Sequence, residues 1–303
     1  ELTAGLPGQE RIRFFKSIDG ELTVNGGSKK RLLDSDIIVY SARNQKISFS
    51  DFKERDDEFF ANLKKIKEDA ERLRGYKGIV LVASNPLEIT SEAIARVSGL
   101  DRDKIIAGSY IDTYRFKSAM LEQIFKQTGM IIPPEALKRA VVIGEHGPGM
   151  IPLYSLVKVG RKRFLEDPRF DLNNIRKKIK QEVEKALIEG PTKFQTENKN
   201  PTRNVRVPSR ALVETVKAIL TEKELPTTSY SRDYDITNVE DCFITGMCSF
   251  KRLEDKINGT KFTTEVNPNF LAEISNSERD KYIESKKNLV ERINKALKKA
   301  GLN

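Results

Sequence analysis

AVVIGEHGPGMIPLYS, residues 140–155, carries the only histidine of the 303-residue chain. Ala140–Ile143 is a run of small and apolar residues that reads as a buried strand, and Gly144 and Gly147 bracket Glu145-His146 in a tight turn. A second apolar run, Met150–Leu156, follows at once. A histidine at a strand end between two glycines is placed by the backbone and stands within reach of a small ligand. Imidazole has an unperturbed pKa of about 6.5, which suits it to proton transfer near neutrality. A structural histidine in a turn has the same local signature, so the turn alone does not decide between the roles.

Working outward, SYIDTYRFKSAMLEQIF (residues 109–125) places Asp112 and Arg115 three apart, and Phe116, Ala119, Met120 and Ile124 have helical spacing. Residues three apart share one helical face. A carboxylate there can hold an imidazole in one tautomer and favour its protonated form. A guanidinium fork can take a carboxylate with two parallel hydrogen bonds. An ordinary intrahelical ion pair, contributing roughly 0.2–0.5 kcal/mol, is the plain alternative.

GEHG followed by an apolar run through Pro152, the ID-x-x-R helix start and VLVASNPLEIT (Val80 to Thr90) together resemble the lactate/malate dehydrogenase family, and they occur in that family's order. The resemblance runs from about Leu2 to the C-terminus. It implies a Rossmann-type parallel sheet followed by a mixed α/β substrate domain, with the division near residues 1–108 and 109–303. It also implies NAD as cofactor, a 2-oxo or 2-hydroxy acid (malate or lactate) as substrate, and a cytoplasmic homodimer or homotetramer. By the same resemblance His146 is the proton donor and acceptor and Asp112 orients it. Arg115 clamps the substrate carboxylate, Asn85 contacts substrate and nicotinamide, and Ser41 lies on the cofactor. Pro208 and Ser209 face substrate from the start of a later helix, where helix capping is the alternative role.

The family's glycine-rich dinucleotide turn normally precedes this point. ELTAGLPG resembles the segment after the family's second strand, so the first βαβ unit is expected to be missing. The chain starts at Glu1, which favours a fragment over a lost pyrophosphate site. Residues 40–52, YSARNQKISFSDF, depart furthest. The family has a small glycine-containing turn here and then a mobile loop with a carbonyl-polarising arginine. Counting back from a helix start at Asp51 puts Phe49 at that arginine's place, with Arg43 and Lys46 the nearest cations. Arg43 then falls near the substrate-discriminating position, where arginine favours malate-type dicarboxylates. These departures, with Pro148 after GEHG where an acid is usual, also fit an inactive homologue acting as a binding or assembly subunit.

Net charge is +10, from 54 Lys plus Arg against 44 Asp plus Glu, so a nucleic-acid partner has to be weighed. The basic clusters Lys29-Lys30-Arg31, Arg161-Lys162-Arg163 and Arg176-Lys177-Lys178 are scattered and lack aromatic repeats or a zinc finger. They read as solvated surface. No run of 18 apolar residues suggests a membrane span. Cys242 and Cys248, six apart with no histidine nearby, are poor zinc ligands and fit two free thiols in a reducing compartment.

For the rest of the chain, hairpin strands are expected within residues 1–34, at Ile12–Phe15 and Glu21–Val24. Asp36–Val39 and Ile79–Ala83 read as strands around a helix over Asp51–Arg74, a β-α-β order implying a parallel sheet. Thr90–Gly99 reads as a helix capped by Ser91, and Lys104–Ala107 as a strand. Phe164–Ile188 suggests a helix pair broken near Pro168, Gly190–Pro208 a surface loop, and Val207–Leu220 a helix. Strands are expected at Pro226–Ser231, Cys242–Phe250 and Gly259–Thr264, and a last helix over Ser277–Lys299.

Overall fold

A computed structural model describes residues 21–23, 29–41, 56–147, 149–197, 206–255, 259–267 and 269–302. Glu21–Thr23 (β1) and Lys29–Arg31 (β2) form an antiparallel hairpin. Ile37–Tyr40 (β3), the helix Asp57–Arg72 (α1), Ile79–Val82 (β4), the helix Leu87–Ser98 (α2) and Ile105–Ala107 (β5) then alternate, and the three strands pair in parallel. Four consecutive apolar residues in β4 suit a strand covered on both faces. Val80 and Val82 point to one core, with α1 and α2, while Ile79 and Leu81 point to another.

Tyr110–Thr128 (α3) leads to two short strands, Leu137–Lys138 (β6) and Val142–Gly144 (β7). Met150–Pro152 (β8) pairs antiparallel with β7. Lys158–Val159 (β9) and Lys162–Arg163 (β10) join β6 in a small sheet. Helices Ile175–Glu197 (α4) and Arg206–Leu220 (α5) precede Leu225–Tyr230 (β11), and a short helix, Tyr234–Thr237 (α6), follows that strand. Phe243–Asp255 (β12), Gly259–Val266 (β13), Phe270–Glu273 (α7) and Asn276–Lys299 (α8) complete the described chain. The main sheet runs β3-β4-β5-β11-β12-β7-β8, with β13 beside β12. Its first three strands are parallel and the rest antiparallel, so the β5–β11 pair carries the sheet across residue 108.

Several expectations are corrected. α1 begins at Asp57, six residues later than expected. α2 begins at Leu87, directly after a cis Asn85–Pro86 bond, and Ser91 lies inside it, donating to Leu87 O at 2.7 Å rather than capping. The first half of the expected helix pair is three short 3₁₀ turns between Phe164 and Asn174, where Pro168 and left-handed Asn173 interrupt any longer helix. α4 runs through Gly190 and Pro191 to Glu197, so much of the expected loop is helical; residues 198–205 lie outside the described residues. Arg43, Lys46, Phe49, Pro148 and the expected strand at 12–15 lie outside them as well.

Both cysteines are free and buried, and burial holds the Cys242 thiol well above its ordinary range. Among the described residues no helix is long and apolar enough to cross a membrane, and no cluster of His, Cys, Asp and Glu is arranged to hold a metal.

Candidate active site

The turn that presents His146 depends on two glycines. Gly144 has φ +90°, and a Cβ there would fall 2.4 Å from Gly149 O; Gly147 has φ +123°. Side chains are strained in that region, so glycine on either side of Glu145-His146 is what lets β7 reverse into β8. Val142 N–H donates to Thr113 Oγ1 at 3.1 Å, fixing β7 against α3 one residue from Asp112.

The imidazole of His146 is 14% exposed, and its Nδ1 lies 2.5 Å from Oδ2 of Asp112, whose side chain is 3% exposed. The other carboxylate oxygen accepts from Arg115 Nη1 at 3.2 Å. The intrahelical ion pair and the contact across the fold therefore coexist: one buried carboxylate holds both. A carboxylate is an acceptor, so Nδ1 carries the proton of this bond and Nε2 is left to exchange with a ligand. Arg115 is about one-third exposed and has five N–H donors, one of which meets Asp112.

Asn85, half-buried, sits between the carboxyl end of β4 and α2. Three residues on, Glu88 is 1% exposed and accepts the backbone N–H of His146 at 2.6 Å. This bond locks the Asn85 turn to the histidine turn. Ser41 is exposed at the carboxyl end of β3. Ser109, at the start of α3, is 1% exposed, and its Oγ has no hydrogen-bond partner among the described residues. Ser209 is half-buried in the first turn of α5. Its neighbour Arg210 stacks on the ring of Tyr114, beside Arg115, with 5.5 Å from guanidinium to centroid. Gly108 packs so closely on α5 that a Cβ would fall 2.6 Å from Leu212 Cδ2. The start of α5 thus closes over the strand ends next to Arg115.

Glu88, Ser285 and Arg292 were not singled out by sequence reasoning. Ser285 Oγ donates to Gly149 O at 3.2 Å and accepts the Glu145 N–H at 3.4 Å. Arg292 donates to Glu145 and grips Asp56 at 2.9 and 3.1 Å through Nε. Glu278 accepts the N–H of Ser155 at 3.0 Å and closes a capping box with Ser275. The available signal was the spacing: Glu278, Ser285 and Arg292 recur every seven residues, two helical turns apart on one face of α8.

Parallel β-α-β units carried into an antiparallel half-sheet define a Rossmann-type α/β protein. No protein-family model matches the chain. It is similar to the L-lactate dehydrogenase of Mycoplasmoides gallisepticum, 29% identical over 154 residues, which cover 49% of this chain and 45% of that one. L-lactate dehydrogenase 2 of Lactococcus lactis subsp. lactis is 31% identical over 168 residues, covering 52% and 50%. The chain spans about half the length of these curated relatives. Among solved structures, malate dehydrogenase from Plasmodium falciparum superposes with TM-score 0.65 at 22% identity, covering 89% of this chain and 79% of that one. The minor L-lactate dehydrogenase of Enterococcus mundtii gives 0.66 at 20%, covering 87% and 77%. In sequence the chain is thus similar to L-lactate dehydrogenases over about half its length, and in fold to malate and lactate dehydrogenases.

Proposed function

We propose that the protein is an NAD-dependent 2-hydroxy acid dehydrogenase that interconverts malate or lactate with the matching 2-oxo acid. The observation that carries this reading is buried Asp112 with His146 on one oxygen and Arg115 on the other. That arrangement orients a proton carrier beside a carboxylate binder. His146 gives its Nε2 proton to the carbonyl oxygen of the 2-oxo acid during reduction and takes it back during oxidation. Asp112 keeps the exchanging nitrogen turned to substrate and stabilises the imidazolium. Arg115 takes the substrate carboxylate, and Asn85 holds the carbonyl region. Ser209 borders the pocket from α5.

NAD, when bound, supplies or receives the hydride at C2. The described residues fit its nicotinamide end. Ser41, Asn85 and Ser109 stand at the carboxyl ends of β3, β4 and β5, and the orphaned Ser109 hydroxyl is a buried polar group lacking a partner. Some of the solved structures similar in fold are malate dehydrogenases in complex with NADH. The division into a cofactor unit, residues 1–108, and a substrate unit, residues 109–303, belongs to the same reading, as do a soluble cytoplasmic setting and a homo-oligomer.

The start of α1 at Asp57 changes the reading of the loop. Two residues before the helix is now Arg55, where the count from Asp51 gave Phe49. By sequence position Arg55 is the carbonyl-polarising arginine, and the case for an inactive homologue loses its main support. By the same six-residue shift the discriminating position falls at Phe49 rather than Arg43, and the reading then carries no preference for malate over lactate. NADH consumption by the full-length protein with oxaloacetate and with pyruvate tests the proposal. Turnover with either supports it, and a folded protein inert toward both contradicts it.

A further inference from the structure

We infer that Arg292 is a positioning residue that sets the His146–Asp112 geometry by tying the histidine turn to the start of α1; as a statement about catalysis this rests on the dehydrogenase reading. The turn is anchored on three sides. α3 holds the imidazole through Asp112, and α2 holds the His146 backbone through Glu88. The third anchor is α8, through the face that carries Glu278, Ser285 and Arg292.

Within that face Arg292 differs from the other two. Apart from the cap that Glu278 makes with Ser275 of its own helix, Glu278 and Ser285 contact only residues 145–155 among these bonds and so hold one segment to α8. Arg292 joins two segments far apart in sequence. Its Nη1 meets Glu145, next to the histidine, and its Nε and Nη2 meet Asp56, directly ahead of α1. Burial disfavours its charge, but the bond to Asp56 and the charges of Glu145, Asp56 and Glu88 outweigh that and hold the guanidinium firmly protonated. One fixed cation thus joins two carboxylates on two elements, Glu145 in the β7–β8 turn and Asp56 ahead of α1.

Geometry explains why arginine is needed. A planar fork can address two carboxylates in fixed directions, whereas an ammonium is a point charge on a flexible stem. Without the guanidinium, the Glu145 carboxylate loses its link to Asp56, while Ser285 and Glu88 still hold the backbone of the turn. The turn then lacks its tie to the start of α1, and the imidazole shifts relative to Asp112. A displacement of about 1 Å at a reacting group is enough to cost roughly a hundredfold in rate. The carboxylate-binding group, Arg115, sits on α3 and is untouched, so substrate binding is spared.

A single histidine makes the test direct, because the imidazole spectrum contains one residue. The full-length protein and its Arg292→Met and Arg292→Lys variants are compared by ¹⁵N-edited NMR of the imidazole and by steady-state kinetics with NADH and the active 2-oxo acid. The wild type is expected to show the hydrogen-bonded Nδ1 proton as a resolved downfield resonance. Arg292→Met should lose or broaden it and lower kcat at least tenfold with KM changed less than about twofold; Arg292→Lys, which keeps the charge, should recover part of both. A folded Arg292→Met protein with the wild-type imidazole spectrum overturns the inference. If Arg292→Met does not fold, Arg292→Lys decides: a spectrum and kcat equal to the wild type overturn the inference, and partial loss of both supports it. The NMR readout requires no turnover, so an inert wild type defeats the dehydrogenase reading while the positional role is still judged from the spectrum.

Discussion

His146 Nδ1 and Asp112 Oδ2 stand 2.5 Å apart although 34 residues separate them, and the carboxylate between the imidazole and Arg115 is almost wholly shielded from water. A buried carboxylate in this position has one strong acceptor role toward the ring, and an amide cannot reproduce it. Asp112→Asn can offer either its oxygen or its NH₂ to Nδ1, and the wrong choice turns the ring's tautomer. We expect kcat to fall about 10²–10⁴-fold with the fold intact by circular dichroism. A decrease of less than threefold would show that Asp112 serves the fold alone.

Arg55 and Phe49 make competing claims to one role. If the cation two residues before α1 polarises the substrate carbonyl, Arg55→Gln lowers kcat roughly 10²–10³-fold. Phe49→Leu should leave kcat within a few-fold of the wild type. The reverse pattern in the two variants would restore the count from Asp51.

Lys286 is fully buried on α8. Its Nζ contacts Asp233, Asp241 at 3.2 Å and Val239 O at 2.9 Å, while Tyr282 donates to the other oxygen of Asp233 at 2.9 Å. Removing one partner from such a set strands a buried carboxylate, so Lys286→Met should destabilise by about 3–5 kcal/mol. Denaturant unfolding measures this as a lower midpoint at unchanged slope. A midpoint equal to that of the wild type would mean that water already reaches Asp233.

Glu278 supplies an acid-sensitive contact. Burial alone would raise its carboxyl, but hydrogen bonds from Ser155 and Ser275 hold it below its ordinary 4.5. A depressed folded value contributes stability that is present above the unfolded value and lost as pH falls through the folded one. Glu278→Gln should therefore be less stable than the wild type at pH 7, with the gap narrowing below about 4.5. Thermal midpoints measured across that range give the comparison; a gap that widens on acidification would contradict the assignment.

The fold was legible wherever a local pattern decided it. Apolar runs at Ile79–Val82 and Ile105–Ala107 marked the parallel strands, and heptad-like spacing marked α8. Ends were less legible. α2 starts four residues before its most polar candidate cap because Leu87–Ile89 is drawn into the core. α4 passes through Gly190-Pro191, where local propensity favoured a loop. In the site, Asp112, Arg115 and His146 could be named because motifs carry them, and the structure brings the three together. Glu88 could not, since its partner lies 58 residues away and no local pattern points to it, and Arg292, whose partner lies 147 residues away, offered only its seven-residue spacing on α8. The early helix start had a single cause: Phe52 and Phe59 both fit a helical spacing, so the helix was extended six residues too far toward its N-terminus.

The most direct test of the account is the full-length protein against His146→Ala, with NADH oxidation followed in the presence of oxaloacetate or pyruvate. The account predicts 2-oxo acid-dependent oxidation in the wild type and loss of at least a thousandfold in kcat in a variant of unchanged circular dichroism and thermal midpoint. Turnover that survives the loss of the only imidazole in the chain would contradict the assignment of proton transfer to His146, and with it the central claim.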